Sequence, residues 1–313
     1  MSLYRCGMLS GPGEFHVHFW DLAIKTSALV SLLTVIVPMA QADQPGTSKR
    51  AEFLISARDL NSQREDSKIR VLDVREQKLY SAGHISGAVW LDINLWRSKG
   101  AEQFGLKDSA FWSKELGRLG IDQEKRIVIV GEVLTETARC WWVLKYLGMS
   151  DVRLLDGGLA EWSGESYPVS SQETQVNPTT PKIEFQAARL AALVDVLPDA
   201  RKTTKCQILD NRSKEEFNGS RQLGARGGHI PGATHLEWNQ FVSANGKLLA
   251  DDELKKLIAA HQVDLNKPIV AHCQTGGRSS VVALVAEMLG GKNVRNYLQG
   301  WSEYSGQLQA PIE

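Results

Sequence analysis

One cysteine stands in a segment whose residue types could perform nucleophilic chemistry. Cys273 follows a short apolar run that is typical of a buried strand, and residues 281–289 after it have the periodicity of a helix. A parallel strand that turns into a helix here brings the thiol to the strand's carboxyl end, where unpaired N–H groups and the helix dipole favour an anion. Arg278 adds a full positive charge. We therefore predict that this loop stabilises a Cys273 thiolate, the nucleophilic form of cysteine.

The alternative interpretation is that Cys273 fills a small space in the core, as most unpaired cysteines do. A core cysteine requires neither Gly276 and Gly277 nor the following arginine, so we favour the functional interpretation. Cys140 lies beside two tryptophans and Cys206 opens a strand, so both are predicted to be core residues. The four cysteines include no Cys-x-x-Cys pair or Cys/His cluster with metal-ligand spacing, so we expect no metal site and no cofactor.

The length and charge of the chain restrict what it can be. Its 313 residues are enough for two ordinary domains. Lysine plus arginine and aspartate plus glutamate balance at 36 each, which gives no indication of a polyanionic partner such as nucleic acid. The partners that we expect are small molecules.

The first segment of the chain has the pattern of an export signal. Lys25 precedes an apolar run over residues 28–37, which an Ala-x-Ala cleavage site follows. We predict cleavage after Ala42 and a periplasmic or secreted protein without stable membrane association. The apolar run is short for a transmembrane helix, so an uncleaved anchor is the weaker alternative. Residues 1–42 are assigned to an N-terminal extension and signal peptide, and a start codon placed too early would explain residues 1–24.

The rest of the chain is a duplicated sequence. Residues 126–131 match residues 268–273 at an offset of 142 (273 − 131), and a Gly-His-Ile-x-Gly-Ala segment occurs at residues 83–88 and again at 228–233. Two copies of this size indicate two domains rather than a solenoid. The assigned ranges are 51–166 for the first domain, 167–183 for a Pro- and Ser/Thr-rich linker, and 184–313 for the second domain.

Each copy alternates short apolar strands with amphipathic helices, which indicates the α/β class with a parallel sheet flanked by helices on both faces. The predicted strands are Val71–Asp73, Ala88–Leu91, Ile127–Val130 and Val152–Leu155 in the first copy, and Ile208–Asp210, Ala233–Leu236, Ile269–His272 and Val294–Tyr297 in the second. The predicted helices include Ser109–Leu119, Thr137–Leu147, Asp252–His261 and Ser280–Leu289.

The two copies differ at the position of the thiol. The first copy has Gly131 where the second has Cys273, and its next residues, 132–136, are acidic and apolar without the paired glycines and the arginine. We therefore predict that the first domain is inactive and that it lends a wall to the cleft between the domains.

This pattern resembles the tandem-domain rhodaneses, which are sulfurtransferases. The resemblance covers about residues 51–310 and rests on Asp210-Asn211-Arg212, on the two Gly-His-Ile-x-Gly-Ala segments and on a cysteine loop in the second copy only. It implies two duplicated rhodanese-like domains and a persulfide-forming nucleophile at Cys273. The loop and substrate-binding residues that it implies, together with the cation discussed above, are Gln274, Thr275, Gly276, Gly277, Arg278, Ser279 and Arg212.

The resemblance also bears on the substrates. The start Cys273-Gln274-Thr275, preceded by His272, is similar to bacterial thiosulfate sulfurtransferases, which implies thiosulfate as sulfur donor and cyanide or a thiol as acceptor in a two-step cycle. Two departures concern the donor: Glu216 stands where thiosulfate enzymes carry a second arginine, and the loop lacks a basic residue that is common after their cysteine. Mercaptopyruvate enzymes have Cys-Gly-[Ser/Thr]-Gly loops, which this loop does not match, and 3-mercaptopyruvate is kept as the alternative donor.

Two further interpretations stay open. Cysteine-dependent phosphatases also have His-Cys, a glycine-bearing loop and Arg-Ser, but five residues separate their cysteine from the arginine, whereas residues 274–277 alone separate Cys273 from Arg278. The shorter loop closes to a smaller ring of amides, which suits a sulfur atom better than a phosphate. A non-enzymatic persulfide carrier needs the same loop as the enzyme.

Several polar side chains around the loop have expected roles. Arg278 fits a role at the anionic sulfur or donor and equally a surface or helix-capping role. His272 ends a buried strand and is predicted to be a hydrogen-bonded structural residue, and structural roles are also favoured for Asp210 and His229. Our hypothesis for Arg226, which lies in the insertion of the second copy, is that it meets the charge of the donor.

Overall fold

A parallel sheet forms in each half of the chain. The computed structural model describes residues 49–198 and 205–313, so the predicted signal peptide and its cleavage site lie outside the described residues. Within those ranges, no helix is both long and apolar enough to cross a membrane.

The strands of the first copy are β1 (Leu54–Ile55), β2 (Ile69–Asp73), β3 (His84–Ile85), β4 (Val89–Trp90), β5 (Arg126–Val130), β6 (Val152–Leu155) and β7 (Val169–Ser170). Five of them form a parallel sheet in the order β1-β6-β5-β2-β4. The central strand β5 contains the run Ile-Val-Ile-Val, which is fully buried, as expected of β-branched residues in a strand covered on both faces.

The strands of the second copy are β8 (Gln207–Asp210), β9 (Thr234–His235), β10 (Ile269–His272) and β11 (Val294–Tyr297). They form a parallel sheet in the order β11-β10-β8-β9. Leu190 forms a parallel bridge with Asn296 beside β11, at the place that β1 occupies beside β6 in the first sheet. The duplicated sequence therefore folds into the same topology twice.

Helices flank both sheets. They are α1 (Arg50–Phe53), α2 (Ala57–Gln63), α3 (Gln77–Ala82), α4 (Ile93–Ala101), α5 (Ser109–Arg118), α6 (Leu134–Tyr146), α7 (Gly158–Gly164), α8 (Leu193–Val196), α9 (Lys214–Phe217), α10 (Asp251–Ala260), α11 (Gly277–Met288) and α12 (Gly300–Tyr304). Short 3-10 helices are also present at Gly105–Lys107, Ala187–Arg189 and Trp238–Phe241.

The helices α6 and α11 pack against each other more extensively than any other pair of elements. Most residues of both helices are buried, so each helix is covered around most of its circumference. One cluster of buried apolar side chains runs through both domains and includes Trp141 of α6 and Leu284 of α11. Because α11 starts at the thiol loop, this packing brings the first domain against that loop.

The predicted α/β class, with parallel sheets flanked by helices, is confirmed by these elements. The eight predicted strands correspond to β2, β4, β5 and β6 in the first copy and to β8–β11 in the second, with ends that differ by at most two residues at either side. The short strands β1, β3 and β7 were not predicted, since two residues carry too little periodicity to be recognised.

Part of the predicted linker is ordered against the first domain. β7 pairs antiparallel with β3, and the backbone N–H of Thr179 donates to the carbonyl of Gly117 at 3.1 Å. A proline-rich segment without a periodic pattern gives no sequence signal for such contacts, because they are made by backbone groups.

Candidate active site

Cys273 lies directly after β10, in the loop that leads to α11. It is 1 % exposed. Its Sγ accepts a hydrogen bond from the backbone N–H of Gly276 at 3.1 Å and lies 3.5 Å from the hydroxyl oxygen of Ser279. A backbone N–H at this distance stabilises negative charge on sulfur. The thiol therefore occupies the strand–loop–helix position that the sequence predicts.

Two carbonyl groups of the loop accept hydrogen bonds from backbone N–H groups of α12. The Cys273 carbonyl accepts from the N–H of Trp301 at 2.8 Å, and the Gln274 carbonyl accepts from the N–H of Ser302 at 3.1 Å. These hydrogen bonds direct the carbonyl oxygens, the negative ends of the two peptide dipoles, towards α12. The first N–H groups of α11 have no partner inside the helix and stay available to an anion near the sulfur.

Glycines at two positions permit this loop geometry. Gly276 has φ +90°, a left-handed conformation that other residues rarely adopt. Gly300 has φ +54°, and a Cβ atom there would fall on the carbonyl oxygen of Cys273. The first copy has the same arrangement, since a Cβ on Gly158 would fall on the carbonyl oxygen of Gly131. The loop scaffold is thus common to both copies, and the thiol is not.

A buried polar network holds the start of α11. The hydroxyl of Ser279 donates to Oδ1 of Asn296 at 2.8 Å, and Nδ2 of Asn296 donates to the hydroxyl of Ser280 at 3.0 Å and to the carbonyl of Gly276 at 3.3 Å. Asn296 is fully buried. The sequence analysis missed this residue, although an asparagine inside a predicted buried strand was a usable signal.

Arg278 is held by a carboxylate. Its Nη1 donates to Oε2 of Glu216 at 2.5 Å and its Nη2 donates to Oε1 at 2.9 Å. Burial opposes the charge, but the hydrogen bonds that Arg278 donates to Glu216 and the nearby sulfur of Cys273 raise the pKa of Arg278. Burial also opposes ionisation of Glu216, yet Arg278 holds the pKa of that carboxyl below its usual range. The pair is therefore ionised, and Arg278 is neither a free surface arginine nor a helix cap.

Arg212 faces the protein interior. It is 1 % exposed, its Nε and Nη2 donate to the carboxylate of Asp210 at 2.5 to 3.1 Å, and Nη2 also donates to the carbonyl of Gly228 at 2.8 Å. Its guanidinium carbon lies 4.3 Å from the ring centre of Trp301. These contacts give no support to the expectation that Arg212 touches the substrate.

The first copy repeats this ion pair without a thiol. Arg75 donates to both carboxylate oxygens of Asp73 and, at 2.7 Å, to the carbonyl of Gly83. Because a domain without the nucleophile keeps the same contacts, the Asp-x-Arg segment has a structural role in both copies.

His272 is a buried residue of β10, and Arg226 is tied to the C-terminal segment. His272 is fully buried, and its Nε2 lies 3.5 Å from Oδ2 of Asp210. Burial lowers the pKa of His272, so the ring is neutral near pH 7. Arg226 donates to the backbone carbonyls of Ser305 at 2.8 Å and Gln307 at 2.6 Å, which ties it to the C-terminal segment. The structure therefore does not support the hypothesis that Arg226 meets the donor.

The remaining loop residues lie at the mouth of the site. Nε2 of Gln274 donates to the hydroxyl of Ser302 at 2.9 Å and to the carbonyl of Leu223 at 3.3 Å. Thr275 is exposed at the tip of the loop. Gln274 thus fixes the loop against its neighbours, whereas Thr275 borders the entrance.

Both domains line the cavity in front of the thiol, which has a volume of about 340 Å³. The second domain contributes Cys273, Gln274, Thr275, Gly277 and Arg278, and the first contributes Arg97, Thr135, Glu136 and Arg139. The two arginines of the first domain were missed in the sequence analysis. The only usable signal was Arg139 itself, a charged residue in the middle of an apolar helical run.

The other cysteines in the described residues do not share this environment. Cys140 and Cys206 are buried and unpaired, as is Cys273. Burial raises the pKa of the Cys140 thiol well above its ordinary value, so this thiol stays protonated and unreactive. Cys206 is 7 % exposed and belongs to an apolar cluster of the second domain. Both have the core environment that the sequence predicts.

Comparison with known proteins gives a consistent result. The family model described as rhodanese-like domain matches residues 56–165 and 193–307. A putative thiosulfate sulfurtransferase of Mycolicibacterium smegmatis is 32% identical over 277 residues, which cover 84% of this chain and 98% of the relative. The sulfur carrier protein TtuD of Thermus thermophilus is 31% identical over 277 residues, 83% of this chain and 96% of the relative.

A solved structure agrees with these sequence matches. The 3-mercaptopyruvate sulfurtransferase SseA of Escherichia coli superposes with a TM-score of 0.68 and 28% identity, covering 80% of this chain and 99% of the other. The matched ranges contain both sheets except β1, and the second contains the Cys273 loop. The chain therefore belongs to the rhodanese family, as a sulfurtransferase with two rhodanese-like domains.

Proposed function

We propose that this protein is a thiosulfate sulfurtransferase with Cys273 as its nucleophile. The observation that carries the proposal is the position of the Cys273 sulfur, which accepts the Gly276 N–H at a helix start and faces a cavity lined by Arg97, Arg139 and Arg278. An anionic nucleophile reacts with an anionic donor only if positive groups offset their repulsion. The similarity to the putative thiosulfate sulfurtransferase of M. smegmatis supports the same donor.

The reaction has two steps. In the first, the Cys273 thiolate attacks the outer sulfur of thiosulfate, an S–S bond forms, and the bond between the two sulfur atoms of thiosulfate breaks with its electron pair leaving on sulfite. A Cys273 persulfide anion stays on the protein. In the second step, cyanide or a thiolate attacks the outer sulfur of the persulfide, which restores the Cys273 thiolate and releases thiocyanate or a new persulfide.

The surroundings of the sulfur suit a leaving group that needs no proton. The backbone N–H of Gly276 donates to Sγ, and the Arg278 side chain and the hydroxyl oxygen of Ser279, whose proton goes to Asn296, lie close to it. No carboxylate or imidazole of the described residues is hydrogen-bonded to Sγ. Sulfite leaves as a dianion without protonation. Mercaptopyruvate, by contrast, becomes pyruvate only when a proton is added to carbon.

Two alternatives have specific support. The similarity to SseA, a 3-mercaptopyruvate sulfurtransferase, favours mercaptopyruvate as an alternative donor. The similarity to TtuD, a sulfur carrier protein, favours a protein that accepts sulfur and delivers it to a protein partner. Both alternatives keep the Cys273 persulfide and differ in what supplies or removes the sulfur.

The experiment is intact-mass spectrometry of the purified protein before and after thiosulfate, then after cyanide. The proposal predicts a gain of one sulfur atom that cyanide removes. The gain should be absent in Cys273→Ser and present in Cys140→Ser, the matched control at a buried, protonated cysteine. A gain of sulfur on correctly folded Cys273→Ser would overturn the assignment of the nucleophile.

The same experiment separates the alternatives. A gain with mercaptopyruvate and none with thiosulfate would change the donor. A gain with thiosulfate that neither cyanide nor small thiols remove would favour the carrier. No gain with either donor would contradict sulfur transfer from small molecules and make phosphate esters the next substrates to test.

We also propose that the protein is exported. Support comes from Lys25, the apolar run over residues 28–37 and the Ala-x-Ala pattern that ends at Ala42. Cleavage there would release residues 43–313 into the periplasm or the medium.

A further inference from the structure

Arg139, on α6 of the first domain, lies against the thiol loop of the second domain. Its Nη2 is 2.9 Å from the position that a Cβ atom would occupy on Gly277, so the guanidinium fits there because Gly277 has no side chain. Arg139 is 5 % exposed, and the sulfur of Cys273 acts on its charge. Position 276 needs glycine because its φ is positive. Position 277 needs glycine because the guanidinium of Arg139 occupies the space of a side chain.

Among the described residues, no carboxylate is hydrogen-bonded to Arg139. Its ion pair is with Glu136, whose Oε2 is 3.7 Å from Nε of Arg139, beyond hydrogen-bond distance. The other oxygen of Glu136 lies 2.6 Å from Nη2 of Arg97. The buried Nε of Arg139 donates no hydrogen bond within the part of the chain that the structure describes. Burial lowers the pKa of Arg139, so the protein interior disfavours this cation in the absence of an anion.

Arg278, the arginine of the loop itself, has a carboxylate partner at hydrogen-bond distance. Both terminal nitrogens of Arg278 donate to Glu216, so its fork is already occupied by a carboxylate. An arginine with a free fork binds an oxyanion through two parallel hydrogen bonds. Of the two, Arg139 is therefore better placed to bind an anionic group that approaches Cys273.

We propose that Arg139 is a donor-binding residue of the second domain's active site, contributed by the first domain, and that its guanidinium binds the oxyanion group of the sulfur donor while Cys273 attacks the outer sulfur. The identity of that group as the sulfonate end of thiosulfate rests on the proposed function. The binding of an oxyanion beside the thiol does not depend on the proposed function. Under this proposal the domain without a nucleophile supplies part of the substrate site.

The test compares two alkylating agents that differ in charge. Iodoacetate carries a carboxylate and iodoacetamide is neutral, and both alkylate the Cys273 thiolate. The measurement is the rate constant of Cys273 alkylation in the purified protein, followed by peptide mass spectrometry, and the result is the ratio of the iodoacetate rate to the iodoacetamide rate. We expect Arg139→Gln to lower this ratio by at least about tenfold, because a charge a few ångströms from the reacting group is removed.

A second variant tests the same point with Arg139 retained. Gly277→Ala places a Cβ where the guanidinium lies and should push it away, and the backbone at Gly277 needs no positive φ. We expect the ratio to fall several-fold in Gly277→Ala. Arg153→Gln is the matched control, because Arg153 of β6 pairs with Asp151 away from the thiol cavity, and it should leave the ratio unchanged.

The outcomes distinguish binding from a structural role. If Arg139 only supports the fold, both alkylation rates change in parallel. The ratio of the two rates then stays constant in Arg139→Gln and in Gly277→Ala, and this result would overturn the proposal. The alkylation ratio does not depend on sulfur transfer. A lowered ratio without any persulfide from thiosulfate would therefore contradict thiosulfate as the donor but keep the oxyanion site. Persulfide formation with a constant ratio would keep thiosulfate as the donor and contradict the oxyanion site at Arg139.

Discussion

Glu216 binds Arg278 through two hydrogen bonds, at 2.5 and 2.9 Å, across the front of the thiol loop. Glu216 is 2 % exposed and stands where thiosulfate enzymes carry a second arginine. The Glu216 carboxylate is therefore a structural component of the candidate active site. It offsets one positive charge beside the sulfur and fixes the arginine at the start of α11.

Replacing Glu216 should both weaken the fold and free a cation. We expect Glu216→Gln to lower the free energy of unfolding by about 1–3 kcal/mol, less than for a fully buried pair because Arg278 is partly exposed. The KM for thiosulfate should fall, since the freed arginine attracts the donor. Urea unfolding and steady-state kinetics measure the two effects. Glu215→Gln, at the exposed neighbouring position, is the control, and unchanged values in Glu216→Gln would show that the pair contributes to neither property.

Removing Asn296 should loosen the loop without touching the sulfur. Asn296→Ala leaves the Ser279 and Ser280 hydroxyls and the Gly276 carbonyl with fewer partners in a fully buried site, at an expected cost of about 1–3 kcal/mol. We also expect slower persulfide formation, because Gly276 carries the N–H that binds Sγ. Urea unfolding and the rate of mass gain with thiosulfate are the measurements. Wild-type stability and rate in Asn296→Ala would contradict the role of the network.

The buried His272 should make stability depend on pH. Burial lowers its pKa in the folded protein, whereas in the unfolded chain a histidine takes up a proton near about pH 6.5. Below that pH the unfolded state binds more protons, so the free energy of unfolding falls as the pH falls, by up to about 1.4 kcal/mol per pH unit from this group. Urea unfolding at pH 7.5 and pH 5.5 should show a smaller loss for His272→Leu than for the wild type. Equal losses in the two proteins would rule out this contribution.

A thiol placed in the first domain should not restore activity. A Cβ on Gly131 would lie 2.6 Å from Cγ2 of Thr137 and 2.9 Å from Cγ2 of Val74, so Gly131→Cys overpacks its site. We expect the double variant Gly131→Cys, Cys273→Ser to be less stable than the wild type by about 1–3 kcal/mol and to gain no sulfur from thiosulfate. Intact mass after thiosulfate is the readout. Sulfur on this double variant would show that the first domain keeps a working loop.

Export should be visible in the mass of the mature protein. If the signal is cleaved after Ala42, the protein recovered from the periplasm or medium begins at Asp43, and its intact mass corresponds to residues 43–313. Replacing Ala40 and Ala42 by larger residues should block cleavage and leave the longer chain in the membrane fraction. A full-length chain recovered from the cytosol would contradict the export signal.

The sequence analysis succeeded where a feature is local. The strands β5 and β10 are runs of apolar residues, and the helix α11 starts at a glycine pair that follows a strand, so each could be predicted from a single stretch of sequence. The duplication strengthened these predictions, because Gly158 and Gly300 repeat one backbone requirement at the same offset.

Features that depend on docking could not be predicted. The pair Glu216–Arg278 joins residues 62 positions apart, and Arg139 reaches the site from the other domain. Periodicity and propensity describe how one element forms, and they contain no information about which helix of one domain meets which loop of another. The backbone carbonyls that Arg212 and Arg226 contact, those of Gly228 and Ser305, were not foreseen for the same reason, since folding alone brings them close.

The contact between α6 and α11 explains why a repeat without a nucleophile persists. The apolar cluster that contains Trp141 and Leu284 continues from one domain into the other, so separating the domains would expose large hydrophobic side chains of both to water. Neither half is expected to be soluble as an isolated fragment. The copy without the cysteine thus forms half of a common interior, and a substitution that unfolds either copy is expected to unfold the other.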